Sequence, residues 1–196
     1  MKKKIIIISV LWGLVNLMLS CCHDAMTIYY SINELNIGNC ALDKPSPDHS
    51  IIARGAHRIL VDLKANSFVK NNAKFSTISS AYATSCEDNH VGLKADITEF
   101  SISCNQKILG VEAGQPISFD KMNIYKIGFN EDSKNQRQTI DEWIRILNVG
   151  GYLLAFQWYI EFKEPIVSNE YLNFKIKIRQ EDGSTFVAET NAIRLQ

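Results

Sequence analysis

Four stretches of the chain alternate apolar and polar side chains with a period of two, the pattern of a strand with one buried face. Ile59, Val61 and Leu63 alternate with Leu60, Asp62 and Lys64, and Phe100, Ile102 and Cys104 with Glu99, Ser101 and Ser103. Leu154, Phe156, Trp158, Ile160 and Phe162 share one face opposite Gln157 and Glu161. The most regular run sets Phe174, Ile176 and Ile178 against Lys175, Lys177 and Arg179. Glu181-Asp182-Gly183-Ser184 then predicts a hairpin into Thr185-Phe186-Val187-Ala188, because Asp-Gly supplies the positive φ that tight hairpin turns need. Ile193 and Leu195 predict a last strand.

One segment follows the helical period. Ile140, Trp143, Ile144 and Leu147 fall on one face, and Thr139 with Glu142 forms a capping box at the start. Gly150-Gly151 ends the segment. Lys44-Pro45-Ser46-Pro47-Asp48 is a predicted loop, since two prolines remove backbone donors. No internal repeat or second domain boundary interrupts the pattern. The expected fold is mainly β: an antiparallel, immunoglobulin-like sandwich over residues 36–196, with one short helix at 139–149 capping an open end. Residues 21–35 are expected as a tether, although Ile28, Tyr29, Tyr30 and Ile32 could already begin a strand.

The first twenty residues belong to a different kind of sequence. Lys2, Lys3 and Lys4 precede an apolar run from Ile5 to Leu19, shorter than the roughly 20 residues a spanning helix needs. The run ends in Leu19-Ser20-Cys21-Cys22, and this junction resembles the signal peptide and lipobox of bacterial lipoproteins. The resemblance implies cleavage before Cys21 and lipidation of its sulfur, with Cys22 as the alternative in the frame one residue later; Met18 departs from the usual leucine. Each buried methylene of an acyl chain contributes about 0.8 kcal/mol, so two or three chains hold a protein firmly on a bilayer. Absence of aspartate after Cys21 resembles lipoproteins passed to the outer membrane, on its periplasmic or surface side.

Charge sharpens this division. The 21 basic and 21 acidic residues of the 196-residue chain cancel, but removal of residues 1–20 takes three lysines and leaves a net charge of −3. A mildly acidic domain with no basic run lacks the footprint of a nucleic-acid binder. With 46% hydrophobic residues the chain is neither disordered nor fibrous.

With Cys21 lipidated, Cys22, Cys40, Cys86 and Cys104 remain. An even count in an exported chain suggests disulfides, with Cys86–Cys104 as the first expectation, Cys40–Cys86 as the second, and a buried free thiol at Cys104 as the competing one. Cys86-Glu87-Asp88-Asn89-His90 is dense in ligand-type side chains but has no zinc-type spacing, and it also reads as a polar turn. No metal ligand and no cofactor is assigned. No nucleophile elbow occurs, and pairing Cys86 with His57 or His90 has no motif behind it, so no catalytic residue is assigned. Among the aromatics, Tyr159 is expected near solvent, where it could meet a sugar ring.

The Gly55–Leu63 strand, the run Ser79-Ser80-Ala81-Tyr82-Ala83-Thr84-Ser85-Cys86, and Ala113-Gly114 after Ile97–Cys104 are similar to features of uncharacterised lipoproteins from host-associated Gram-negative bacteria. The Thr139–Trp143 helix start and the Asp182-Gly183 hairpin complete that resemblance, which implies export and a β-sandwich and carries over no functional residue. The expected function is a membrane-tethered, non-enzymatic module that binds a glycan or an envelope protein. A small lipoprotein hydrolase would instead show a cleft holding two acids or a Cys–His pair, and a subunit of a surface assembly an exposed apolar edge.

Overall fold

The computed structural model describes residues 27–41, 44–46, 48, 50–70, 89–126, 137–149 and 157–196. Among them eleven strands and one α-helix follow in the order β1 (Thr27–Ala41), β2 (Lys44–Pro45), β3 (Ser50–Ile52), β4 (His57–Lys70), β5 (Asn89–Leu93), β6 (Ile97–Cys104), β7 (Met122–Lys126), α1 (Ile140–Val149), β8 (Gln157–Phe162), β9 (Phe174–Gln180), β10 (Thr185–Glu189) and β11 (Ile193–Leu195). The fold is mainly β, as the alternation predicts.

The large sheet runs β2-β1-β4-β8-β7, with β5 alongside β1. Its spine is the antiparallel pairing of β1 with β4 from Thr27↔Lys70 to Ala41↔His57, interrupted by a register shift at Ile32/Glu34. The expected tether therefore gives way to strand from Thr27 onward: Ile32 and Leu35 are buried in the core, and apolar side chains on a paired strand are more stable covered than exposed. A second sheet runs β10-β9-β6, and β11 pairs with β3 in a third.

Two of these pairings are parallel, β1 with β5 and β11 with β3, so the arrangement is mixed where alternation alone suggested purely antiparallel sheets. A one-face alternation records which side of a strand is buried, and it carries no information about the direction of its neighbour.

The predicted buried faces lie where expected. Ile59, Val61 and Leu63 of β4, Phe100, Ile102 and Cys104 of β6, and Phe174, Ile176 and Ile178 of β9 are all buried within one hydrophobic cluster that all three sheets feed. Leu154 and Phe156 lie outside the described residues. In α1, Ile140, Trp143 and Leu147 face the core, and the Glu142 backbone N–H donates to Thr139 Oγ1 at 3.2 Å, the predicted cap. Trp143 meets Phe100 of β6 and Trp158 of β8 edge-on, at 5.2 and 5.3 Å between ring centroids. Asn148 fastens the helix to β6, accepting from the Ile97 N–H at 2.9 Å and donating to the Ile97 carbonyl at 3.2 Å. In the hairpin, Gly183 adopts φ +88°, a conformation that costs a side-chain-bearing residue energy, and Asp182 Oδ1 accepts from the Ser184 N–H at 2.9 Å.

Tyr159 departs from its expected place near solvent: it is buried. Strand β8 lies between β4 and β7, in register Leu60↔Tyr159↔Tyr125, and the Tyr125 ring leans on Tyr159 at 5.6 Å. The Arg58 guanidinium lies over the Tyr125 ring at 5.7 Å. The outer face is thus roofed by long side chains of the neighbouring strands, which period-two counting along one strand does not reveal.

Candidate functional site

A polar concavity lies where the short turn Arg54–Ala56 between β3 and β4 meets the exit of β8. A cavity of about 330 Å³ opens there, with Arg54 and His57 on one side, Glu161, Lys163 and Glu164 on another, and Phe162, Pro165, Ile166 and Leu195 as apolar walls. This lies at the lower end of the volume range of small-ligand pockets.

His57 is placed by register. It continues the buried β4 series Ile59, Val61, Leu63 one step upstream, so its ring points to the core side and is only 5% exposed. The ring stacks on Phe174 at 5.2 Å and lies nearly parallel to Phe162 at 6.3 Å. Its Nε2 is 2.9 Å from Asn39 Oδ1. Asn39 in turn donates through Nδ2 to the Asn191 carbonyl at 2.7 Å and to Asn191 Oδ1 at 3.0 Å, which fixes the orientation of its amide. An amide oxygen can only accept, so His57 carries its proton on Nε2 and leaves a bare lone pair on Nδ1. Burial pushes the imidazole pKa down to about 4, consistent with a neutral ring. Among the described residues that buried Nδ1 has no hydrogen-bond partner, and neither has the buried Nε of Arg54.

Glu161 sits on the sheet row next to Arg58 and takes two guanidinium groups: Oε1 at 3.6 Å from Arg58 and Oε2 at 2.9 Å from Arg137, which precedes α1. Three cationic side chains, Arg54, Arg137 and Lys163, and two carboxylates, Glu161 and Glu164, line the cavity. Among the described residues the lining therefore carries one more cation than anion.

Of the five cysteines, the described residues include Cys40 and Cys104. Cys21, Cys22 and Cys86 lie outside them. Cys104 is a buried thiol whose Sγ is 3.5 Å from Asn105 Oδ1, and burial pushes its pKa up. Cys40 is also buried, and no disulfide is seen among the described residues. Glu87 and Asp88 lie outside the described residues too, and among those described no group of three or more His, Cys, Asp or Glu side chains is arranged to hold a metal. No helix among them is long and apolar enough to cross a membrane.

Sequence reasoning set His57 aside as one half of an unsupported Cys–His pair and gave no role to Arg54 or Lys163. One signal was present: two residues before Ile59, His57 falls on the same face of β4, which predicts a buried, hence functional or fully bonded, imidazole. Comparison with family models, with curated proteins and with solved structures finds no match to this chain.

Proposed function

We propose that the chain is an exported lipoprotein, anchored through Cys21 or, in the alternative frame, Cys22, whose domain binds a small ligand without transforming it. The observation that carries the binding reading is the cavity of about 330 Å³ at the β3–β4 turn, which Arg54, His57, Glu161, Lys163 and Glu164 line together with apolar walls from Phe162, Pro165, Ile166 and Leu195. A sandwich of broadly immunoglobulin-like plan is supported by the common core beneath the large sheet and the β10-β9-β6 sheet, with the two parallel pairs as additions to that plan.

The hydrolase reading has one observation in its favour, two glutamates in one cavity. Against it, both oxygens of Glu161 are engaged by arginines. The assembly-subunit reading would use the β10 edge, where Val187 is exposed, but the other large exposed apolar side chains, such as Ile51 on β3 and Phe68 on β4, lie on separate strands.

The anchor is tested by expressing the full chain in a Gram-negative host and following mass and membrane fractionation. Cys21→Ala is expected to abolish acylation and release the domain from the membrane. If Cys21→Ala and Cys22→Ala each leave processing unchanged, the lipoprotein reading is wrong.

A further inference from the structure

We infer that the end of the domain carrying Tyr29, Phe68 and Lys94 rests on the lipid bilayer, which turns the cavity at the β3–β4 turn toward the aqueous side. The inference rests on the anchor reading above and adds which face of the domain the anchor brings to the membrane. Covalent geometry supplies the first step. From Cys21 to Thr27, the first described residue of β1, the chain takes six residue steps, or five if Cys22 carries the lipid. A step spans at most about 3.6 Å, so Thr27 stays within roughly 20 Å of the acylated residue whatever path the chain takes. From Thr27, β1 runs for 15 residues, about 45 Å along the strand. Its register with β4 sets Lys70 opposite Thr27 and His57 opposite Ala41, so His57 and the cavity it lines lie at the end remote from the anchor.

The near end has the side chains that a headgroup zone accommodates. Tyr29 and Phe68 are direct partners across β1 and β4, so they stand on one face of the sheet, opposite the face on which Tyr30 packs against the core. Phe68 is 47% exposed. Lys94, just past β5 on the other side of β1, donates its backbone N–H to the Tyr30 carbonyl at 2.7 Å and holds its ammonium 5.4 Å from the centre of the Phe68 ring. At a membrane surface the ring can enter the boundary between headgroups and acyl chains while the lysine stem carries its charge out to the phosphates. Asp182 of the β9–β10 turn is within electrostatic reach of Lys94, so the ammonium is partly balanced and the contact is mainly apolar. One half-exposed ring is too little apolar surface to hold a free domain on a bilayer, but a tether this short keeps it at an effective concentration of about millimolar, where a weak contact is made.

The test is tryptophan fluorescence of the full chain, expressed in a Gram-negative host and reconstituted in vesicles of phosphatidylethanolamine and phosphatidylglycerol, with and without bromine on the acyl chains. Intact mass reports acylation of the same samples. The parent chain is the baseline, because Trp143 and Trp158 are buried and Trp12 leaves with the signal segment. Phe68→Trp is expected to lose roughly half of its added emission to bromolipid, since an interfacial side chain sits about 5–10 Å into the boundary between headgroups and acyl chains. Ile51→Trp is expected to lose none: Ile51 is 60% exposed and lies six residues before His57, at the remote end. Tyr29→Trp reads the same face as Phe68→Trp and replaces it if that variant shifts the unfolding midpoint.

Quenching of Phe68→Trp, or of Tyr29→Trp in its place, with Ile51→Trp untouched supports the assignment. An acylated, vesicle-bound chain in which Phe68→Trp and Ile51→Trp are quenched alike, or neither is quenched, overturns the orientation and leaves the anchor standing. A chain whose mass carries no acyl group overturns the anchor, and the orientation with it. Emission of Phe68→Trp that is untouched by bromolipid and shifts to the blue as protein is added per lipid assigns the patch to a second copy of the chain and overturns the bilayer contact.

Discussion

A neutral imidazole inside a β-sheet couples its protonation to folding. His57 titrates at about 4 in the fold against an ordinary 6.5. Above pH 6.5 both folded and unfolded chains carry it neutral and it has no effect. As pH falls from 6.5 toward 4 the unfolded chain takes up a proton that the fold does not, and stability drops, by about 3 kcal/mol in total for this group. Urea unfolding at pH 7.5, 5.5 and 4.5 should show this loss, and His57→Gln should flatten that part of the profile; an unchanged slope would contradict a buried neutral His57. Cys104 gives a second residue-scale expectation. Its thiol is buried and held protonated, so alkylation should be slow in the folded protein and complete after denaturation without reductant. Failure to label after denaturation would mean that the sulfur is bridged, as the sequence first suggested for Cys86–Cys104. Of these two residues the alternation placed Cys104 directly, whereas the role of His57 depended on Asn39 and Asn191, 152 positions apart, meeting through a side-chain amide.

Individual elements were legible in proportion to how local their determinants are. The cap of α1 and the β9–β10 turn are decided within four residues, and both formed as the sequence predicts. Thr139→Ala is accordingly expected to cost about 1 kcal/mol by removing the acceptor for the Glu142 N–H, read as a lower denaturant midpoint. Gly183→Ala should cost a similar amount, about 1 kcal/mol, because φ +88° strains any β-carbon although space around it is open. If Gly183→Ala is neutral, the turn has another geometry. In contrast, Thr27–Ala41 is strand because β4 offers it a partner from His57 to Lys70. Ile28, Tyr29, Tyr30 and Ile32 offered a strand there but did not decide it against a tether, and the parallel direction of β5 and β11 is settled by strands remote in sequence.

At the scale of the whole molecule, α1 is the joint between sheets. Trp143 touches Phe100 of the small sheet and Trp158 of the large one, so Trp143→Ala removes contacts on both sides and leaves a cavity between them. The expected loss is about 3–5 kcal/mol, with the denaturant midpoint falling and the transition staying cooperative. A cost near 1 kcal/mol would mean that the helix is peripheral. The cavity at the β3–β4 turn was illegible for a related reason: Arg54, Glu161 and Leu195 come from three separate elements, and only closure of the sheets makes them neighbours.

The pairing of β11 with β3 has a consequence in time. Ser50–Ile52 are made early and must wait for Ile193–Leu195, the last strand, before the Ile193↔Ser50 and Leu195↔Ile52 rows can form. Contacts that close so long a loop form late, after the loop's entropy has been spent. A nascent chain emerging from the ribosome therefore lacks the wall that Leu195 gives the cavity until Ile193–Leu195 have been made and have found Ser50–Ile52.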